Sequence, residues 1–265
     1  MKTFLSESIA DYTSYTFNYS VYAVREAGDR LDDIYGKGFL PYSAQTNIES
    51  EVFYLARSLR VEVSEFADTS ENRRVNRLVT TLGLQLDVIP KAEFNLEDPD
   101  FQAFCLDYIQ ERIGDEQMSE ARWRYILSWD LGTHIFRFTL PDGRLAGFVL
   151  VAMDEDIIHY WFAFFDTGYM RSHSLGKWMM WRVIAWAKEH KRKYVYLGTA
   201  YKPSALYKIR DHKGLRFFDG HTWNADMKSL KSYCEQDETP LPMDRFKLME
   251  QPQDFLNQLV YEKNQ

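Results

Sequence analysis

The chain has 265 residues, 45% of them hydrophobic and 27% charged, the balance of an ordinary globular protein rather than a disordered or fibrous one. A formal net charge of −7 argues against a general nucleic-acid binder, and no run of about 18 apolar residues exists to span a membrane. Two cysteines, Cys105 and Cys234, are too few for a disulfide framework or a cysteine-based metal site, so no metal is expected. The first residues, Met1 to Glu7, bring an acid where a signal peptide needs its apolar stretch, which makes a cytoplasmic location the expectation.

Strand-like runs open the chain at Ser14–Val24 and Phe53–Val63, the second with alternating Val52, Tyr54 and Ala56, then Leu59, Val61 and Val63. The polar stretch from Glu65 to Arg74 reads as a turn entering a short helix over Arg73–Leu82, and a strand over Leu84–Ile89 ends at Pro90. Residues 91–100, with Asn95, Asp98 and Pro99, form the best candidate boundary. Asp100–Ile113 then places Phe101, Phe104, Cys105, Tyr108 and Ile109 on one helical face, and Gly114 stops it. A second helix is expected over Ser119–Ser128.

Thr133–Leu140 alternates, Pro141-Asp142-Gly143-Arg144 is a hairpin turn, and strands follow at Leu145–Met153 and Ile157–Phe165. Ser174 is a candidate N-cap for a helix reaching about His190, with Leu175, Trp178, Met179, Val183 and Trp186 in helical period. A strand over Tyr194–Leu197 ends at Gly198. Meander, helix and strand in that order define an α+β fold. Between Arg182 and Arg216 lie ten basic residues and only two acidic ones, a local excess that an RNA backbone could use despite the acidic total.

An ordered set of short motifs runs from Ile157 to Trp223. Phe165-Asp166 closes a strand, Ser174-Leu175-Gly176 heads a helix and Tyr196-Leu197-Gly198 closes the next strand. Tyr207-Lys208 follows about nine residues later, and Trp223 after that. In this order and spacing the segment resembles the arginyl-tRNA–protein transferases and their bacterial leucyl-tRNA–protein transferase relatives. Weaker matches lie upstream, in Tyr108, Arg112-Ile113-Gly114 and Tyr125-Ile126-Leu127, and in Phe66 with Ser70-Glu71-Asn72-Arg73-Arg74.

The resemblance implies a GNAT-like aminoacyltransferase domain over residues 96–265, preceded by a smaller α/β N-terminal domain over residues 1–95. It implies an arginyltransferase-like, tRNA-dependent transferase of the N-degron kind that uses aminoacyl-tRNA as donor and no separate cofactor. The amine acceptor would be a protein N-terminus, a peptide or a small molecule. One departure leaves that acceptor open. The family's N-terminal domain carries a cysteine cluster, whereas Gly36–Leu59 contains no cysteine.

Amide formation from an activated ester chiefly needs orientation of two reactants, stabilisation of an oxyanion and a neutral amine. Asp166 is the candidate base or amine anchor, although an aspartate at such a turn also suits capping of Gly168. His173, just before the helix that Ser174 heads, is a second candidate. Ser174, Leu175 and Gly176 would offer the donor a helix N-terminus, with Gly176 permitting close approach. Tyr207 would stack on the terminal adenine, and Lys208 would meet a phosphate along a track extended by Lys202, Arg210 and Lys213. Arg73 and Arg74 are candidates for an acidic acceptor or RNA. Two other readings compete: a CoA-dependent N-acetyltransferase of the same fold, and a catalytically silent tRNA- or peptide-binding adaptor. No P-loop, dinucleotide fingerprint, zinc-hydrolase pair or serine elbow is present.

Overall fold

The computed structural model describes residues 1–11, 16–44 and 50–237. Two antiparallel strands, β1 (Lys2–Asp11) and β2 (Thr16–Val24), begin a four-stranded sheet. Short helix α1 (Leu31–Gly36) leads into β3 (Phe39–Pro41) and β4 (Val52–Leu55), giving the order β1-β2-β4-β3. The first two positions of the expected strand Ser14–Val24 lie outside the described residues.

The expected single strand Phe53–Val63 is two. β4 ends at Leu55, and β5 (Ser58–Glu62) belongs to a second sheet. The break falls at Ala56 and Arg57, where the Ala56 N–H turns to the Gly38 carbonyl and Ser58 Oγ donates to the same oxygen. The apolar alternation slips by one position there, from Val52, Tyr54 and Ala56 to Leu59, Val61 and Val63, and that slip is the mark the break leaves in the sequence.

After β5, helix α2 (Ser70–Thr80) starts on Thr69, whose hydroxyl accepts the Asn72 N–H while the Asn72 side chain accepts the Thr69 N–H. β6 (Gln85–Pro90) follows, then α3 (Pro99–Tyr108), a wider helical turn at Ile109–Ile113 ended by Gly114, and α4 (Glu120–Ser128) with Ser119 as cap. The strands β7 (His134–Thr139), β8 (Leu145–Met153) and β9 (Ile157–Phe165) form the expected meander. Helix α6 (Leu175–Glu189), after the short α5 (Met170–His173), crosses to β10 (Tyr194–Thr199). β11 (Leu215–Phe218), β12 (Trp223–Asn224) and α7 (Met227–Gln236) are the last elements among the described residues.

The second sheet has eight strands in the order β12-β11-β5-β10-β9-β8-β7-β6. β8 is buried almost throughout, because both its faces are covered. Val149, Val151 and Met153 pack toward α6, while Phe148 and Leu150 pack toward α3 and α4. On α6 the buried set Leu175, Trp178, Met179, Val183 and Ile184 follows the helical period, each large aliphatic contributing about 1.5–3 kcal/mol by leaving water. β5 and β6 come from before residue 95 and sit inside this sheet, so the sheet continues across the boundary read from sequence. Helices and sheets together form a mixed α/β molecule.

Candidate active site

The site arises where two parallel strands part company. β9 and β10 pair only through Tyr194–Ile157, Val195–Ile158 and Tyr196–His159. Beyond that point β10 pairs with β5 alone and β9 with β8 alone, so a wedge opens between Tyr160–Phe165 and Leu197–Thr199. Two irregularities produce the divergence. In β9, Leu150 faces Phe162 while the next residue, Val151, faces Tyr160, which leaves Trp161 as an extra residue that bends the strand. In β10 the register with β5 shifts between Tyr196 and Gly198, and Gly198 adopts φ +79°, a conformation that glycine takes without a Cβ clash. The strand therefore runs on through Gly198 instead of ending there.

A cleft of about 310 Å³ fills the wedge. Tyr160, Ala163 and Met180 belong to the core under α6, whereas Leu40 and Trp161 belong to the side packed on the four-stranded sheet. Material thus reaches the wedge from both faces of the sheet. Among the described residues no aspartate or glutamate lines it.

Lys208 is the charged group nearest the vertex. It stands in a tight helical turn over Pro203–Ile209, and its Nζ donates to the Thr199 carbonyl at 3.0 Å. No carboxylate pairs with it among the described residues. Loss of solvent pushes its ammonium down to about 8. Tyr207 beside it presents an exposed ring on the same cleft.

His159, which sequence reading passed over, also lines the cleft. The ring is buried, with Nδ1 3.0 Å from the Tyr35 hydroxyl, and burial first and the Lys208 charge second push it down to about 3. It is a neutral imidazole held in a fixed orientation. Its partner lies 124 residues away in sequence, so no local pattern points to it. Arg122 was also missed. Its guanidinium reaches from α4 to the Ser43 carbonyl and hydroxyl and to the Gln117 carbonyl, all neutral acceptors.

The remaining sequence candidates divide sharply. Asp166 accepts the Gly168 N–H at 2.9 Å and caps the turn after β9, and His173 contacts the Ser172 hydroxyl at the end of α5. Neither lines the cleft. Ser174 precedes α6 as expected, but in a left-handed conformation and without a side-chain cap. At Gly176 an added Cβ would lie 2.5 Å from the Phe165 ring, so this glycine makes room for Phe165. Leu175 is buried in the core. Arg74 is paired with Glu71, and Arg73 donates to the Asp68 carbonyl, both on α2 and away from the cleft.

The basic stretch does not form one face. Arg182 pairs with Glu189, Lys193 with Asp156 and Arg216 with Glu65, while Lys188 and Arg192 donate to the Phe66 and Glu155 carbonyls. Lys188–Lys193 sit where β10 begins, the end opposite the wedge. Lys213 adjoins Gly214, whose carbonyl accepts the Glu62 N–H at that same end. Lys202 and Lys208 stand at the wedge end, with Arg210 just beyond the turn that carries Lys208.

Comparison with known families gives the class. Residues 116–208 match the family described as "Acetyltransferase (GNAT) domain", so the fold includes a GNAT-like domain, and the matched span contains both splayed strands, α6 and Lys208. No curated protein matches. Among solved structures, FemX is similar at 11% identity and TM-score 0.45, covering 69% of this chain and 64% of that one. The structure of L-PGS from Bacillus licheniformis is similar at 12% identity and TM-score 0.41, covering 66% and 62%. The C-terminal domain of a putative lysylphosphatidylglycerol synthetase from Agrobacterium fabrum matches at 14% identity and TM-score 0.40, covering 55% of this chain and 46% of that one. Membership of the arginyl- or leucyl-tRNA–protein transferases does not emerge from these matches. Among the described residues no helix is long and apolar enough to cross a membrane, and no three His, Cys, Asp or Glu side chains come together to hold a metal.

Proposed function

We propose that the wedge between β9 and β10 transfers an aminoacyl group from tRNA to an amine. The observation that carries this reading is Lys208, a cation that no carboxylate among the described residues pairs, at the point where the strands separate. In the reaction the neutral amine adds to the ester carbonyl and the C–N bond forms. The C–O bond to the terminal ribose then breaks, and the ribose oxygen takes up the proton that the amine loses. Negative charge develops on the carbonyl oxygen between these steps, and a desolvated ammonium beside it stabilises that charge more than it stabilises the ground state. His159, neutral and fixed by Tyr35, borders the same space as a hydrogen-bonding group of constant charge.

The head of α6 favours tRNA over CoA as donor. A pyrophosphate seated there needs a glycine-lined loop. This chain offers Gly176 alone, covered by Phe165, with Trp178 on the next turn packed into the core and donating to Asn76. Tyr207 and the cations Lys202 and Arg210 suit a 3′-terminal nucleotide and its phosphates. Asp166 and His173, outside the cleft, take no part in the bond-making step. The acceptor sought is an amine on a protein N-terminus, a peptide or a small molecule.

The test is incubation with a pool of labelled aminoacyl-tRNAs and cell extract. Label is expected in an alkali-stable amide, and acetyl-CoA is expected to leave the melting temperature unchanged. Stabilisation by acetyl-CoA with no transfer from any charged tRNA would convert the reading to an N-acetyltransferase. Binding of tRNA with no transfer would convert it to an adaptor.

A further inference from the structure

On the side of the wedge away from α6, the cleft opens into a second recess of about 460 Å³. The two share Pro41, Ser43, Tyr54 and Arg122 as common wall. The recess is floored by tyrosines: Tyr22 and Tyr42 pack edge to face at 5.3 Å, Tyr42 and Tyr54 at 6.1 Å, and Tyr201 closes one side with 43% of its surface exposed. Arg122 stands at the junction. Its three hydrogen bonds go to two carbonyls and a hydroxyl, which fix the guanidinium without neutralising it.

Charge is what makes the place informative. The protein as a whole is acidic, at −7, yet among the described residues neither cavity has an aspartate or glutamate in its lining, and both touch a cation that no described carboxylate pairs. A pinned guanidinium with N–H groups to spare, facing a tyrosine-lined space, is built for a carboxylate on a small organic molecule. The combined space is of the size that takes a metabolite.

We infer that this recess is the acceptor site, and that the acceptor is a free α-amino acid whose carboxylate is held by Arg122 and whose amine points through the junction toward Lys208. This rests on the transfer reading given above and narrows it, since a free amino acid as acceptor makes the product a dipeptide. The amine attacks the ester carbonyl, the new C–N bond replaces the C–O bond to ribose, and the ribose oxygen leaves with the amine's proton. The tyrosine rings receive the acceptor's side chain, which favours aromatic and large apolar amino acids.

The experiment begins without any donor. The intact protein is titrated calorimetrically with each of the twenty free amino acids, with the carboxamide of the tightest binder and with inorganic phosphate. At least one amino acid is expected to bind, its carboxamide at least tenfold more weakly, and Arg122→Gln is expected to bring the two to equal weakness. Arg122→Lys, which keeps the charge and loses the fork, should fall between. Should Arg122→Gln fail to fold, the amino acid against carboxamide comparison on the unaltered protein still decides. Binding of phosphate through Arg122 with no amino acid binding would assign the guanidinium to the donor's backbone and overturn the inference.

Charged tRNA is added next. Amino acid binding without dipeptide formation from any aminoacyl-tRNA leaves the carboxylate site standing and removes the donor reading. Transfer to protein N-termini that Arg122→Gln does not slow removes the acceptor site and leaves the donor reading standing.

Discussion

Lys208 ties the pH response of the site to a single proton. Its cation is the form that stabilises an oxyanion, and burial has brought it down to about 8. Expressed per neutral amine, rate should therefore be flat below that value and fall tenfold per unit above it, with Lys208→Arg extending the plateau upward, as a kcat/KM profile corrected for amine ionisation would reveal. Lys208→Met should lower transfer by about 10²–10³-fold, the cost of removing one oxyanion donor. Stability runs the other way. A folded-state value below the unfolded one means that the cation opposes folding, fully at pH below 8 and progressively less as pH climbs toward 10.5. The Met variant should thus be the more stable protein at pH 7, with the difference shrinking across that window in denaturant titrations. Asp166→Ala should leave transfer within about threefold, since its carboxylate serves the Gly168 turn. At this scale the sequence singled out Tyr207 and Lys208 through a spaced motif, and both line the cleft. It did not disclose His159 or Arg122, whose meaning depends on Tyr35 and Ser43, residues that only the folded chain brings near.

The elements around the wedge were mostly legible, and the exceptions have physical causes. β8 and β9 came out at their observed bounds, since long apolar runs bordered by turn residues have few other readings. The bulge at Trp161 and the shift before Gly198 leave no composition signal, yet they are what opens the cleft. Gly176 illustrates how a correctly noticed residue acquires a different role. Its missing Cβ accommodates Phe165 across the β9–α6 turn. Gly176→Ala alone should therefore destabilise by about 1–3 kcal/mol through overpacking. Adding Phe165→Ala should relieve the clash, so that the double variant is more stable than the sum of the two singles predicts in a double-mutant cycle. Strict additivity would show that the contact is not what constrains this position.

Across the whole molecule, cores and charges are arranged on a larger scale than any motif. Leu59, Val61, Val75 and Val79, from the first third of the chain, share one core with Phe136, Val149 and Val183. A division at residue 95 would leave β10 without β5, its neighbour on one side. Unfolding followed by tryptophan fluorescence and by far-ultraviolet circular dichroism should consequently give one coincident transition, where two independent domains would give two. Charge shows the same dependence on the fold. Read along the chain, residues 182–216 form one basic block, but in space the block splits between the two ends of β10, with several of its members already neutralised. Among the described residues of this block Lys202 and Arg210 remain to meet a 3′-terminal strand, with Lys208 beside the reacting carbonyl, so the block is a much weaker polynucleotide grip than its length suggests. A strand held by two or three such contacts should weaken with salt at a logarithmic slope of roughly −1.4 to −2. Lys202→Ala should reduce that slope by about 0.7. Lys191→Ala, at the far end of β10, should leave it unchanged. If both substitutions lower the slope equally, the nucleic acid runs over the far end of the sheet and the wedge is not where its 3′ end arrives.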